Sequence, residues 1–308
     1  MRKFIPEYVY EKYVSGEYTG YLQANVLQID VIGFTKLTAD AMNDDQDGAE
    51  LIAEYLSNIF AEVIDLVHAH HGFISVFQGD GLVAVFPEDK STSEDALHCA
   101  RQIITHSKNV LWTGRNSSAI PTSICCSLSY GSLIWELIIN PQKHTWFFYG
   151  DPLISTANAI ELGLPDRVVC DEAFLKQAKL ADKHTCYEPY QEYYIMSQLS
   201  VTPYQKSSHP PRFESSNTEL AGFFPELSST LQLKDEYRLT VCCFIQILDI
   251  SKASMAINNT IRNAQKLQAY FNKIDIQNSN LCLMILFGAP LAMENALHRA
   301  VELALAII

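Results

Sequence analysis

Two carboxylates have the placement to do chemistry. Asp30 closes an apolar run, VLQID, and Asp80 lies in QGDG between the apolar runs FISVF and LVAVF. Aspartate is a poor strand residue, so both are conspicuous. If the two strands are neighbours, both side chains reach one end of one sheet. Burying two like charges together is costly unless a cation lies between them. Hard oxygen ligands suit Mg²⁺ or Mn²⁺ bound together with a phosphate substrate. Two such ions, about 3.5–4 Å apart, activate an attacking oxygen and stabilise a leaving one. The turn Val31-Ile32-Gly33-Phe34-Thr35 leaves the strand and enters a helical region. Backbone N–H groups at such a turn can cradle phosphate oxygens, and Gly33 would permit close approach. From the residues alone a plainer reading stays open. Asp30 would then cap a turn, and Asp80 would be the turn residue of an Asp-Gly hairpin.

Several elements must position these groups. Residues 24–35, ANVLQIDVIGFT, predict a buried strand ending in a glycine turn. An acidic loop follows, then a long helix from about Gly48 to His70, with Ile52, Leu56, Ile59, Phe60, Val63, Ile64 and Val67 at helical spacing. Gly72 stands where a C-terminal cap belongs. Phe73–Phe77 and Leu82–Phe86 predict a hairpin, and 93–107 a second helix with Ser93 as its cap. Strands are expected near 122–130, 132–139 and 144–149, and a helix over 151–162 with Pro152 early in it.

Residues 200–236 change character. They are rich in Pro and Ser, as in KSSHPPRFESSN, and predict a linker. After them the first pattern starts again. LTVCCFIQIL echoes the strand before Asp30, NKIDIQNSNLCLMILF echoes the hairpin, and ENALHRAVELAL echoes EDALHCARQII. This is an internal repeat in two copies. The second copy stops at Ile308 within a predicted helix, so it is expected to be incomplete and the chain part of a longer protein. The expected organisation is a segment over 1–23, a first domain over 24–199, the linker over 200–236, and the start of a second, degenerate domain over 237–308.

Composition removes some classes of function. With 48% hydrophobic and 19% charged residues the chain can build a sizeable core, which excludes a disordered or fibrous protein. A formal net charge of −13 argues against a nucleic-acid or anionic-membrane partner. None of the eight cysteines forms a CxxC pair; Cys125-Cys126 and Cys242-Cys243 sit inside apolar runs and are expected as reduced core thiols of a cytoplasmic protein. The N-terminus, MRKFIPEYVYEKY, has no apolar signal region. The longest apolar run, Leu281–Met293, is interrupted by Gly288 and Pro290 and falls short of the roughly 20 residues that span a bilayer. No G-x-S-x-G elbow supports serine catalysis. His68, His70 and His71 crowd the end of the long helix, where positive charge suits the helix C-terminus better than a zinc site does. Tyr8, Tyr10, Tyr13, Tyr18 and Tyr21 are expected to pack.

The segments IDVIGFTKLT and FQGDGLVAVF, with the long helix between them, resemble the catalytic domain of class III adenylyl and guanylyl cyclases. The tandem arrangement, IPEYVYEKYVSGEYTG ahead of the first strand, and NKI and LFGAP in the second copy resemble the soluble, bicarbonate-responsive adenylyl cyclases in particular. The resemblance covers about residues 5–195 and 237–308. It implies an α+β fold with a ferredoxin-like βαββαβ core, two domains pairing head to tail within the chain, and an active site shared between them. It implies that Asp30 and Asp80, with the carbonyl of Val31, hold two Mg²⁺ or Mn²⁺ ions, and that Gly33, Phe34 and Thr35 bind the triphosphate of ATP. Lys273 would read the base. The implied reaction makes cyclic AMP and pyrophosphate from ATP, and bicarbonate regulation is implied by the same analogy. Lys143, His144 and Arg167 carry no motif for such a pocket.

The pattern is also broken in places. Val76 replaces the family's lysine ahead of Gly-Asp, and Ile154 and Asn158 stand where its transition-state Asn and Arg belong. In the second copy Gln246 replaces the first metal Asp and Asn280-Leu281 replace Gly-Asp. The residues of the chain by themselves are therefore expected to be inactive, with catalysis in the complete protein. The alternative is a degenerate cyclase pair with a nucleotide-binding, regulatory or dimerising role.

Overall fold

The computed structural model describes residues 5–44, 48–112, 119–180, 186–197, 220–224 and 239–307. Most of the expected linker, 200–219 and 225–236, lies outside them. The elements in chain order are α1 (Glu7–Ser15), β1 (Thr19–Val31), α2 (Phe34–Asp44), α3 (Gly48–Ala69), β2 (Phe73–Gln78), β3 (Gly81–Pro87), α4 (Ser93–Ser107), β4 (Leu111–Trp112), β5 (Ile120–Pro121), β6 (Ile124–Ile138), β7 (Thr145–Tyr149), α5 (Asp151–Ile160), β8 (Val168–Cys170), α6 (Glu172–Gln177), β9 (Tyr187–Tyr190), β10 (Tyr193–Met196), β11 (Val241–Ile247), α7 (Ala253–Lys266), β12 (Tyr270–Gln277), β13 (Asn280–Phe287) and α8 (Ala296–Ile307). Two compact units result: Tyr21–Leu133 with Gly150–Pro211, and Met1–Gly20 with Ile134–Tyr149 and Arg212–Ile308. Among the described residues no helix is long and apolar enough to cross a membrane.

The unit beginning at Tyr21 is built on a mixed sheet in the order β2-β3-β1-β6-β8-β10-β9. Its first four strands and the helices between them run β1-α2-α3-β2-β3-α4-β6, and β1 lies between β3 and β6. That is the ferredoxin-like βαββαβ core, so the α+β expectation holds. β3 runs antiparallel to both β1 and β2, while β8 is parallel to β6. The core joins Leu27, Ile29 and Val31 of β1 with Leu82, Ala84 and Phe86 of β3 and the inner faces of α3 and α4. Burying such side chains is worth about 1.5–3 kcal/mol each.

Local details depart from the sequence reading for physical reasons. The expected acidic loop opens as a helix, α2, because Phe34, Leu37 and Ala41 recur at helical spacing and pack on the core. Gly72 does not supply the left-handed residue after α3; His71 does, with φ 61°. Gly72 is needed for space, since a Cβ there would lie 2.6 Å from the Phe86 ring. The cap of α4 is Thr92, not Ser93. Its side chain accepts from the Asp95 N–H while Asp95 accepts from the Thr92 N–H, a capping box. One long strand, β6, replaces two expected short ones. Burial lowers the pKa of His68, which favours its neutral form and works against the expected positive charge at that residue.

In the other unit β11, a single 3₁₀ turn over Ile250–Lys252, α7, β12, β13 and α8 form a three-stranded antiparallel sheet in the order β11-β13-β12. Its core holds Ile257, Ile261, Phe271, Leu281, Leu283, Ile285 and Phe287, with Ile138 and Phe147 packed into the same cluster. Tyr8 of α1 meets Trp135 edge-on at 5.6 Å and Tyr13 meets Phe223 at 5.2 Å, whereas Tyr18 and Tyr21 are exposed.

Strand order and register agree between the segments that the sequence pairs as a repeat. β1-β3-β2 and β11-β13-β12 have the same order. Asp30 pairs with Gly81, and Gln246 with Cys282. Each outer strand carries an irregularity at the same point, just before Val76 in β2 and just before Lys273 in β12. Val76 pairs with Val83 and Lys273 with Met284, so these two residues are counterparts.

Candidate active site

The end of β1 and the β2–β3 turn meet at one end of the sheet. Asp30 is the next-to-last residue of β1, between Ile29 and Val31, which are 1% and 2% exposed. Gln78 pairs with Gly81 across a two-residue turn, Gly79-Asp80. Gly79 takes φ +65°. With Gly79 at positive φ and Asp80 not, the pair fits the II′ class of hairpin turn, which follows the twist of the strands. The turn residues are thus Gly-Asp rather than the Asp-Gly that the sequence suggests. Gly81 already belongs to β3, and a Cβ there would sit 2.4 Å from the Ile29 carbonyl oxygen and 3.4 Å from a carboxylate oxygen of Asp30. This glycine lets β3 approach the carboxylate of Asp30, a role the hairpin motif alone did not reveal.

The two acids feel each other. Burial, and then the charge of Asp80, push the Asp30 carboxyl up to about 6 from its ordinary 3.8. Burial also raises Asp80, against a lowering hydrogen bond from its own backbone N–H. Among the described residues no cation pairs with either carboxylate. Two half-buried acids sharing one place without a positive partner are the donor set a hard divalent cation fits. Among the described residues no group of three or more His, Cys, Asp or Glu could hold a metal. A cation at this pair would therefore complete its shell with a backbone carbonyl, water and phosphate oxygens, as Mg²⁺ commonly does.

Beside the acids the backbone turns into α2. The Ile32 N–H donates to the Ser123 carbonyl at 2.9 Å, which ties the turn to the loop leading into β6. Gly33 takes φ +77° with open space where a Cβ would be, so its need is conformational. Its carbonyl accepts from the N–H groups of Lys36 and Leu37. The first N–H groups of α2, from Phe34 and Thr35, have no partner within the helix by construction. Thr35 is exposed, while the Phe34 ring is anchored against the core. Asp30, Val31, Asp80, Gly33, Phe34 and Thr35 all belong to this one unit and this one end of its sheet.

Lys273 belongs to the other unit, on β12. Its ammonium lies 3.0 Å from Asp275 and is 26% exposed, which is half-buried for a lysine. Lys143 lies over the Tyr270 ring at 4.1 Å, and the His144 ring packs on Phe223. Ile154 and Asn158 lie on α5, with Asn158 exposed.

In shape the chain is similar to solved nucleotide cyclases. The adenylyl cyclase CyaB from P. aeruginosa matches with a TM-score of 0.48 and 15% identity over 59% of this chain and 97% of that one. The guanylyl cyclase Cya2 matches with a TM-score of 0.48 and 17% identity over 62% and 98%. A bacterial light-regulated adenylyl cyclase matches with a TM-score of 0.48 and 16% identity over 63% and 59%. No protein-family model matches the chain. An uncharacterised protein of Mycobacterium tuberculosis is 29% identical over 162 residues, half of this chain. A second one from that organism is 35% identical over 83 residues, 26% of this chain. The matches span 25% and 14% of the length of those two relatives.

Proposed function

We propose that the chain carries the metal-holding half of a class III nucleotide cyclase that turns ATP into cyclic AMP and pyrophosphate. The observation that carries this reading is the meeting of Asp30 and Asp80 at one sheet end, next to the Gly33 turn. Asp30, Asp80 and the carbonyl of Val31 would hold two divalent ions, which supply charge neutralisation and acidify a bound hydroxyl. Gly33 opens the turn so that the N–H groups of Phe34 and Thr35 face the triphosphate, and the helix N-terminus favours its negative charge. The 3′-oxygen loses its proton and bonds to the α-phosphorus, the bond from that phosphorus to the bridging oxygen breaks, and pyrophosphate leaves. Positioning and electrostatics supply most of the rate in such transfers. Lys273, on the second copy, is the proposed reader of the base. The Asn and Arg missing at Ile154 and Asn158 must come from a second cyclase-like half.

A second reading has its own observation. Val76, Ile154, Asn158, Gln246 and Leu281 all depart from the catalytic pattern, which favours a degenerate pair that binds nucleotide without turnover. Assaying cyclic AMP formation by the longest natural form of the protein, with Mn²⁺ and ATP, separates the two. Turnover abolished by Asp30→Ala and by Asp80→Ala supports the cyclase. Metal-dependent nucleotide binding with no cyclic AMP supports the degenerate pair.

A further inference from the structure

Asp80 lies in the turn that joins β2 to β3, and β3 separates β2 from β1, the strand of Asp30. The backbone ladders hold each strand to β3, yet the turn carrying Asp80 projects past the last pair, Gln78 with Gly81. The like charges of Asp80 on the turn and Asp30 on β1 push the turn away from β1. A side-chain bond spans the gap. Gln28 Nε2 donates to Gln78 Oε1 at 3.0 Å, across β3. Gln28 precedes Asp30 by two residues on β1, so it shares the face of Asp30 and opposes the face that carries Leu27, Ile29 and Val31 into the core. It is 9% exposed, an uncommon place for a glutamine in an otherwise apolar strand. Gln78 is the residue directly before the Gly79-Asp80 turn. On β3, Val83 lies opposite Gln28 and Gly81 lies opposite Gln78, so the bond crosses diagonally, and glycine leaves its Gln78 end unobstructed.

Resting on the reading of Asp30 and Asp80 as a divalent-ion site, we propose that Gln28 and Gln78 form a positioning clamp that sets the spacing of the two carboxylates. An amide pair suits that task. It adds no charge to a site that must attract a cation, and it does not titrate, so the restraint is the same at every working pH. An apolar pair of equal length would fill the space but leave the turn free to splay. An Asp80 that has to be drawn in by the ion binds it less tightly, because ordering the turn is then charged to binding.

The test is Mn²⁺ binding to the whole chain, followed by the loss of the free-ion paramagnetic resonance signal, for wild type, Gln28→Met, Gln78→Met and the double variant. Methionine keeps length and volume and removes the bond. The clamp predicts that each single variant weakens Mn²⁺ binding by about threefold to tenfold, the worth of one partly buried hydrogen bond. The double variant should be no weaker than the worse single one, since both changes remove the same bond. Melting curves without metal keep folding separate, and Gln78→Met, at the more exposed partner, serves if Gln28→Met does not fold. Single variants that melt lower but bind Mn²⁺ within twofold of wild type assign the pair a structural role and overturn the clamp. Losses that add in the double variant also overturn it. A wild type that takes up no Mn²⁺ defeats the metal reading itself, and the clamp with it.

Discussion

The sheets β1-β3-β2 and β11-β13-β12 share a strand order and differ at its tip. In the first copy the register brings Asp30 opposite Gly81, beside Asp80. In the second it brings Gln246 opposite Cys282, and Leu281 takes the place of Asp80. Leu281 is 1% exposed within the core of its unit, whereas Asp80 is only half-buried at a turn. The same strand order has been used in one place to hold charge at a rim and in the other to extend an apolar core. The helices differ likewise. Thr92 and Asp95 cap α4, while the matching residues, Ala292 and Asn295, have no such box, and α8 starts only at Ala296. Two units of one strand order therefore keep the same ladder and differ in a few residues at the strand ends.

Exchanging the tips sharpens that contrast. Leu281→Asp buries a carboxylate without a partner and should cost about 4 kcal/mol or more, enough to unfold its unit, as read by thermal melting. The reverse change, Asp80→Leu, should leave melting within about 1 kcal/mol of wild type without metal, because it removes a repelled charge from a half-exposed turn. Equal damage from both exchanges would break the comparison.

Next in size is Gly81→Ala. Its Cβ would meet backbone, not a flexible side chain, so a loss of about 1–3 kcal/mol in denaturant stability is expected. Cys282, at the matching position, already carries a side chain, and Cys282→Ala should cost less than Gly81→Ala.

Acid titration gives a medium effect. Asp30 has its pKa raised to about 6, so its protonated form is favoured in the folded state. Its contribution to stability is present below its ordinary pKa and is lost as pH rises through about 6. In chelator, Asp30→Asn should match wild type in melting temperature near pH 4 and exceed it increasingly between pH 5 and 7. A gap that shrinks over that range would show the sign to be wrong. The smallest effect is at the helix cap, where Thr92→Ala should cost about 1 kcal/mol.

Much of this was legible in the residues. The strand before Asp30, the long helix of alternating apolar faces, the hairpin and the repeat follow from periodicity and from glycine placement, because burial imposes those periods. The helix α2 was hidden because FTKLTADAMND carries Thr and Asp among its apolar positions, of which Phe34, Leu37 and Ala41 pack on the core. Thr92 was hidden behind Ser93, since two neighbouring hydroxyls look alike until the partner Asp95 is placed. The two acids could be named from their surroundings. What the residues alone left undecided was whether Asp30 and Asp80 meet, which depends on a register only tertiary structure sets. The roles of Gly81 and of the Gln28–Gln78 bond depend on it as well.

Calorimetric titration of Mn²⁺ into wild type, Asp30→Asn and Asp80→Asn asks whether Asp30 and Asp80 together hold divalent cations, as proposed. Saturable binding by the wild type is expected, weakened at least about a hundredfold in either variant, as loss of one of two anionic ligands requires. Binding that persists undiminished in both variants, or no binding by the wild type at saturating Mn²⁺, would contradict it.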